Sequence, residues 1–170
     1  MQIATDYSDA IVRKYPEQIA IAIAKDPQGK YNPITLGWVM PTSGQPPMLA
    51  ISVGLTRYSF EALRHAGEFV VSFPSIDMAE DALFYGTNSG RDMDKIGACG
   101  TKTQPAAEID CVLFADAVAS FECTLESELV TGDHVIFAGT VVAAHMNEDP
   151  KVRRVYTVGG NYEMSGVIPG

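Results

Sequence analysis

Alternation of bulky and small residues is the clearest signal in this chain. Leu49, Ile51 and Val53 alternate with Ala50, Ser52 and Gly54, the period-two pattern of a strand with one bulky face and one small face. A small face admits a flat ligand. Residues 19–24 alternate isoleucine with alanine and carry no charge before Lys25, which predicts a strand covered on both faces. The turn Asp26-Pro27-Gln28-Gly29 follows it. Residues 34–43 predict a second strand, with Leu36, Trp38 and Met40 on one side and Gly37 and Val39 on the other, until Pro41 interrupts the ladder. Residues 68–73 predict another. From Cys111 onward the pattern is β-rich, with strands at 114–120, 121–129, 134–145 and 152–158, and Thr131-Gly132-Asp133 turning one pair into a hairpin.

Helical spacing is confined to short stretches. Residues 60–66 predict a helix capped by Ser59 and ended by Gly67, and residues 77–84 an amphipathic helix capped by Asp77. Residues 93–98 predict a third, and residues 1–16, ending in Tyr15-Pro16, a short helix or extended lead-in. Short helices set in a run of strands indicate an α+β, mainly β chain built on an antiparallel barrel or sandwich. The dinucleotide-binding glycine fingerprint, the phosphate-binding Walker loop and the hydrolase nucleophile elbow are all absent from the sequence. At 170 residues the chain reads as one domain with a sizeable core.

Charge narrows the function classes. The formal net charge of −9 works against nucleic acid and anionic membrane surfaces as partners. No apolar run approaches the roughly 18 residues of a membrane span, and the N-terminus is too charged for a signal peptide, so the expected location is cytoplasmic. Cys99, Cys111 and Cys123 form no CxxC pair and read as reduced, inert thiols. The scattered His65, His134 and His145 give no zinc spacing, so no metal is expected.

An anionic ligand must therefore find local positive charge, and two segments offer it. Thr56, Arg57, Tyr58 and Ser59 bring three hydroxyls and a guanidinium to a helix start, where free N–H groups favour phosphate. The same residues also describe an ordinary capped helix. In the second segment, residues 86–92, Gly86 and Gly90 free the backbone, Ser89 offers a hydroxyl, and Arg91 and Lys95 at i+4 place two cations on one helical face. The plainer reading is a solvated loop with Arg91 paired to Asp92 or Asp94. Trp38, the single tryptophan, is either a core anchor or the border of a planar ligand.

Five blocks carry a resemblance: WVMP at 38–41, AISVGLTRYS at 50–59, GEFVVSFP at 67–74, GTNSGRDMDK at 86–95 and GDHVIFAGTVV at 132–142. In order and spacing the chain resembles the flavin reductase-like, FMN-binding split-barrel family, and its flavoredoxin-like members in particular. The resemblance implies a Greek-key split β-barrel with short flanking helices, a homodimer, and FMN near the subunit interface. On it, Ser52, Thr56, Arg57 and Ser59 contact the ribityl phosphate arm, and Ser89, Gly90, Arg91 and Lys95 complete the phosphate cradle. Trp38, Val39 and Met40 border the isoalloxazine, and His134 is the candidate catalytic residue. The glycine-rich Gly159-Gly160 followed by Tyr162 is similar to the family's C-terminal end.

Three functions remain open at this point. The first is an FMN-dependent oxidoreductase drawing on reduced nicotinamide, NAD(P)H, or an electron-carrier protein. The second is a pure electron carrier that docks basic partners, and the third is a dimeric interaction module without flavin. Residues 19–24, apolar on both faces, also point to a second copy as cover.

Overall fold

A computed structural model describes residues 1–167. The chain opens with helix α1 (Tyr7–Ile11) and a 3₁₀ turn at Val12–Lys14, followed by strands β1 (Glu17–Gln18), β2 (Ala20–Lys25), β3 (Tyr31–Leu36), β4 (Val39–Gly44) and β5 (Pro47–Gly54). Helix α2 (Tyr58–Ala66) precedes β6 (Glu68–Phe73), and a 3₁₀ turn at Ile76–Met78 leads into α3 (Ala79–Thr87). Then come α4 (Lys95–Cys99), β7 (Thr103–Pro105), β8 (Val112–Phe114), β9 (Ala119–Thr131), β10 (His134–Met146), β11 (Arg154–Thr157) and β12 (Met164–Val167). No described helix is long and apolar enough to cross a membrane.

Seven strands form one antiparallel sheet in the order β3-β2-β6-β9-β10-β5-β4. Laid flat, six inter-strand steps of about 4.8 Å would separate β3 from β4 by roughly 29 Å. Yet only Gly37 and Trp38 connect them. Three Cα steps reach at most about 11 Å, so the sheet has to curl until its two edges meet. They meet without pairing, which leaves an open seam at Gly37-Trp38. The expected single strand at 34–43 is thus two strands on opposite edges. The expected faces break at the seam as well: Leu36 packs against the interior cluster that contains Val39, while Trp38 and Met40 stand exposed, because the two linking residues shift the alternation by one position. Pro41 sits within edge strand β4 at a register shift, where its missing N–H is tolerated.

Curling turns the alternation of β2 into two cores. Ala20, Ala22 and Ala24 face the inside with Leu49, Ile51, Val53, Phe69, Val71, Val135 and Phe137, and Ala62 and Leu63 of α2 close this interior. Ile19, Ile21, Ile23 and Val70 face outward against Met78, Ala82 and Tyr85 of the α3 region and Leu113 and Phe114 of β8. Tyr85 stacks on Phe114 at 5.6 Å. Both faces of β2 are therefore buried by the chain's own segments, and the alternation alone gives no reason for a second copy.

Local ends differ from expectation where a distant group intervenes. Gly67 does end α2 in the left-handed region, at φ 66°. Ser59 does not cap it: the N-cap is Arg57, and Ser59 lies buried inside the first turn, its Oγ accepting from Asn32 Nδ2 at 2.8 Å. Asp77 is likewise inside a 3₁₀ turn whose N-cap is Ser75, and that turn feeds a helix reaching Thr87. The third helix begins at Lys95, capped by Asp94, which accepts from Gly97 N at 3.1 Å. The strand expected at 114–120 is the end of β8 and the start of β9, with a turn between. Cys111 and Cys123 are buried and their thiols are pushed up to about 12 by burial, while Cys99 is partly exposed.

Glu122, on β9, is fully buried. Its Oε1 accepts from Ala107 N at 2.7 Å and meets His145 Nε2 at 2.6 Å, and its Oε2 accepts from Glu108 N at 2.7 Å and Ile109 N at 3.2 Å. Burial pushes this carboxyl up, but the Ala107 and Glu108 amides and His145 outweigh it and hold it below the ordinary 4.5. The lowered carboxyl contributes stability above the ordinary glutamate value, and that contribution is lost as pH falls through the lower folded value. Glu122→Gln is expected to lower stability at neutral pH by about 1.5–3 kcal/mol, the range for hydrogen bonds to a charged group. Urea denaturation between neutral and acid pH checks it, and the variant should show a shallower loss on acidification than wild type.

Candidate functional site

The first wall of the site follows from how β5 turns into α2. Gly54 ends the strand, Arg57 N donates back to Gly54 O at 3.0 Å, and Phe60 N donates to Arg57 O at 3.0 Å. No side chain caps this end, so its first N–H groups stay available to an anion, although Glu61 in the first turn already answers part of the dipole. The opposite wall comes from the end of α3, where Thr87 Oγ1 donates to Leu83 O at 2.8 Å and Asn88 N to Phe84 O at 3.0 Å. Ser89 Oγ then accepts from Arg91 N at 3.2 Å, shaping the bend through Gly90.

These walls enclose a cavity of about 220 Å³ whose lining includes Thr56, Arg57, Ser59, Ser89, Gly90, Arg91 and Lys95. Seven of the residues singled out in the sequence thus meet in one place. Arg91 and Lys95 do not share a helical face, because Arg91 precedes α4 and Lys95 opens it. Lys95 is instead buried, at 3% exposure, with Nζ donating to Tyr85 O at 3.2 Å and Asn88 O at 3.3 Å. Burial pushes its ammonium down to about 8. Arg91 pairs with neither Asp92 nor Asp94; its partner is Glu61 of α2 at 2.9 Å.

Gly90 and Asn32 show how closely this cradle is built. A Cβ on Gly90 would lie 2.0 Å from Asn32 Oδ1 and 3.2 Å from Tyr58 Cδ1. Asn32 Oδ1 is buried without a hydrogen-bond partner, as is Thr35 Oγ1. Asn32 and Glu61 carry no signal in the sequence, because no motif relates β3 and α2 to this loop. Only the orphaned acceptor and the close approach reveal Asn32.

The second part of the site lies at the seam. Trp38 is 47% exposed, so it is not a core anchor. Its carbonyl accepts from Ser52 N at 2.9 Å, and Val39 N donates to Gly37 O at 3.1 Å, so these two amides are already engaged. Trp38, Val39, Met40, Ala50, Ser52 and Ile136 border a shallow pocket of about 180 Å³ on the small face of β5. His134 lies opposite Gly54 in the ladder and packs on Trp38 with ring centroids 4.7 Å apart, its Nδ1 meeting Asp133 Oδ1 at 2.6 Å. The small face is therefore open at Ser52 but covered at Gly54, where an added Cβ would lie 3.5 Å from both His134 Nε2 and Arg57 Cγ.

A larger cavity of about 490 Å³ joins the two parts: it shares Arg57, Gly86 and Thr87 with the cationic pocket and Gly37 with the seam pocket. Asn161 and Tyr162 line its far side in the left-handed region, at φ 58° and 61°. The site is thus a cationic pocket and an apolar, flat-floored pocket at two ends of one groove. Gly90→Ala tests the cradle, since the new methyl must displace Asn32 or Tyr58. It is expected to lower stability by about 1–3 kcal/mol, as overpacking does, which thermal melting of the variant beside wild type measures.

Known proteins share this arrangement of segments. Residues 12–164 match the family described as flavin reductase like domain. A protein of Archaeoglobus fulgidus, described as uncharacterized, is 31% identical over 113 residues, 66% of this chain and 64% of its own length. An NADH-dependent FMN reductase of Streptomyces nodosus subsp. asukaensis is 30% identical over 120 residues, 68% of this chain and 61% of its own length. The match thus spans a little under two thirds of these relatives. Flavoredoxin from Methanosarcina acetivorans superposes with a TM-score of 0.87 at 23% identity, covering 100% of this chain and 93% of that one, so the two share the split-barrel fold. With the family match running from the end of α1 to the start of β12, this chain belongs to the flavin reductase-like domain family.

Proposed function

We propose that this protein is an FMN-dependent oxidoreductase, with reduced nicotinamide or an electron-carrier protein as donor. The observation that carries the reading is the meeting of Arg57, Arg91 and Lys95 in one pocket, joined by a groove to the flat pocket at Trp38. In a chain of net charge −9, three cations gathered around a helix start favour a phosphate dianion. A cavity of about 220 Å³ suits a single phosphate, which favours FMN over FAD. Asn32 Oδ1 and Thr35 Oγ1, both lacking partners, suit the hydroxyls of a ribityl chain.

When bound, FMN supplies hydride and electron transfer. The chain's residues supply everything else. Arg57, Arg91 and Lys95 neutralise the phosphate, with the hydroxyls of Thr56, Ser59 and Ser89 and the bare backbone at Gly90 around it. Trp38, Val39, Met40 and Ser52 form the surface against which the ring lies. His134, tied to Asp133 through Nδ1, packs on Trp38 and stands with Nε2 over Gly54, at the covered end of the small face. A second copy of the chain is the proposed structural partner, because the long β9–β10 hairpin leaves Leu129, Val130, Val142 and Met146 exposed. Sedimentation should then find a dimer.

The deciding experiment is the visible spectrum of the purified protein with FMN, followed by anaerobic addition of reduced nicotinamide. Bound flavin that bleaches supports the reductase. Bound flavin that bleaches only with a protein donor makes the chain a carrier. A protein that shows no flavin absorbance and leaves the fluorescence of added FMN unquenched overturns the reading.

Lys95 makes the binding pH-dependent with a definite sign. The phosphate is a dianion above roughly pH 7. Above about pH 8 the free protein has lost the Lys95 proton, and binding has to take one up. FMN affinity is therefore expected to fall by up to about tenfold per pH unit above that point, the limit for one linked proton. Fluorescence titration from neutral to alkaline pH measures it, and Lys95→Met should bind more weakly at neutral pH and lose the slope. Stability moves the other way: between about 8 and the ordinary 10.5 the unfolded chain holds the extra proton, so Lys95's burial penalty is relieved as pH rises.

A further inference from the structure

We infer that Glu61 sets how tightly the pocket holds its ligand, by acting as a charged rival for Arg91. The inference rests on the flavin reading and says what would decide between retained and exchangeable FMN. Arg91 lines the cationic pocket, yet its Nη2 donates to Glu61 Oε1 at 2.9 Å. One guanidinium thus faces two anions, a carboxylate of the protein and the phosphate of the ligand. Its place is held from below by Tyr58, whose ring lies 5.4 Å from the guanidinium and whose hydroxyl donates to Asp26 Oδ2 at 3.1 Å. Arg91 therefore stays within reach of both.

The other cations are arranged differently. Lys95 is held by the carbonyls of Tyr85 and Asn88, and Arg57 makes no ion pair among the described residues. Arg91 alone of the three has its charge partly neutralised by the chain. Glu61 also stands in the first turn of α2, where a carboxylate already answers the positive end of the dipole that would favour phosphate.

Magnitudes decide the direction. Both partners of the Arg91–Glu61 pair are half exposed, at 50% and 53%, and exposed pairs of this kind stabilise little. Bonds from guanidinium to phosphate are charge-assisted and can be bidentate. The ligand therefore takes Arg91 but must do so beside a like charge, which weakens binding and speeds release.

The test is FMN titration with wild type, Glu61→Gln, Arg91→Ala and the double variant, at low and high salt, with stopped-flow release by dilution. Glu61→Gln keeps the side chain's shape and an acceptor for Arg91 while removing the charge. It is expected to tighten FMN binding about 3–10-fold at low salt, mostly through slower release, with the gain shrinking at high salt. In the Arg91→Ala background the same substitution should give a clearly smaller gain. Unchanged or weaker binding by Glu61→Gln overturns the inference and makes Glu61 a positioning residue for Arg91. If none of the four proteins binds FMN, the flavin reading falls instead. Thermal shifts with inorganic phosphate, larger in Glu61→Gln than in wild type if Glu61 is a rival and no larger if it is not, then judge Glu61 by themselves.

Discussion

The link of two residues between β3 and β4 is the constraint on which the rest of this structure depends. Because Gly37 and Trp38 tie together strands that stand at opposite edges of a seven-stranded sheet, the sheet cannot remain open and flat. Curling creates an interior filled by the bulky faces of β5, β6 and β10, and it turns the small face of β5 outward beside the seam. The indole of Trp38 is left at that seam because the backbone there changes ladders, and its side chain has no interior to enter. One geometric restriction thus makes both the core and the flat pocket.

Electrostatics explains why the cationic pocket is built from buried and borrowed parts. A protein of net charge −9 repels a dianion at long range, so attraction has to be short-range and structured. Lys95 holds a buried position at the C-terminal end of α3, where Nζ donates to the carbonyls of Tyr85 and Asn88 and burial lowers its ammonium. Arg57 stands at the start of α2 and adds a charge to that helix's own free donors. The C-terminal end of α3 and the start of α2 face one another across the pocket. No single segment could present both.

The second core holds this arrangement steady. α3 packs its Ala82 and Tyr85 against the outward isoleucines of β2, which fixes the carbonyl of Tyr85 that holds Lys95. On neighbouring β9, Glu122 gathers the amides of residues 107–109 and His145, closing the same outward face of the sheet. A buried carboxylate is tolerated there because all its acceptor directions are used.

The sequence alone determined the faces of β2 and β5, the left-handed end of α2 at Gly67, the mainly β architecture and the two segments that line the cationic pocket. These are local properties: alternation, turn residues and clustered donors are written within a few positions of one another. Only the tertiary structure decided that residues 34–43 divide between two edges, since register and curl involve strands far apart in the chain. The same holds for Ser59, drawn inward by Asn32 from β3 across 27 positions, and for Arg91, which meets Glu61 at a separation of 30. Glu122 looks like any strand carboxylate until β9 is seen lying under residues 107–109. A side chain's partner depends on which distant segment the fold brings beside it, and periodicity carries no information about that.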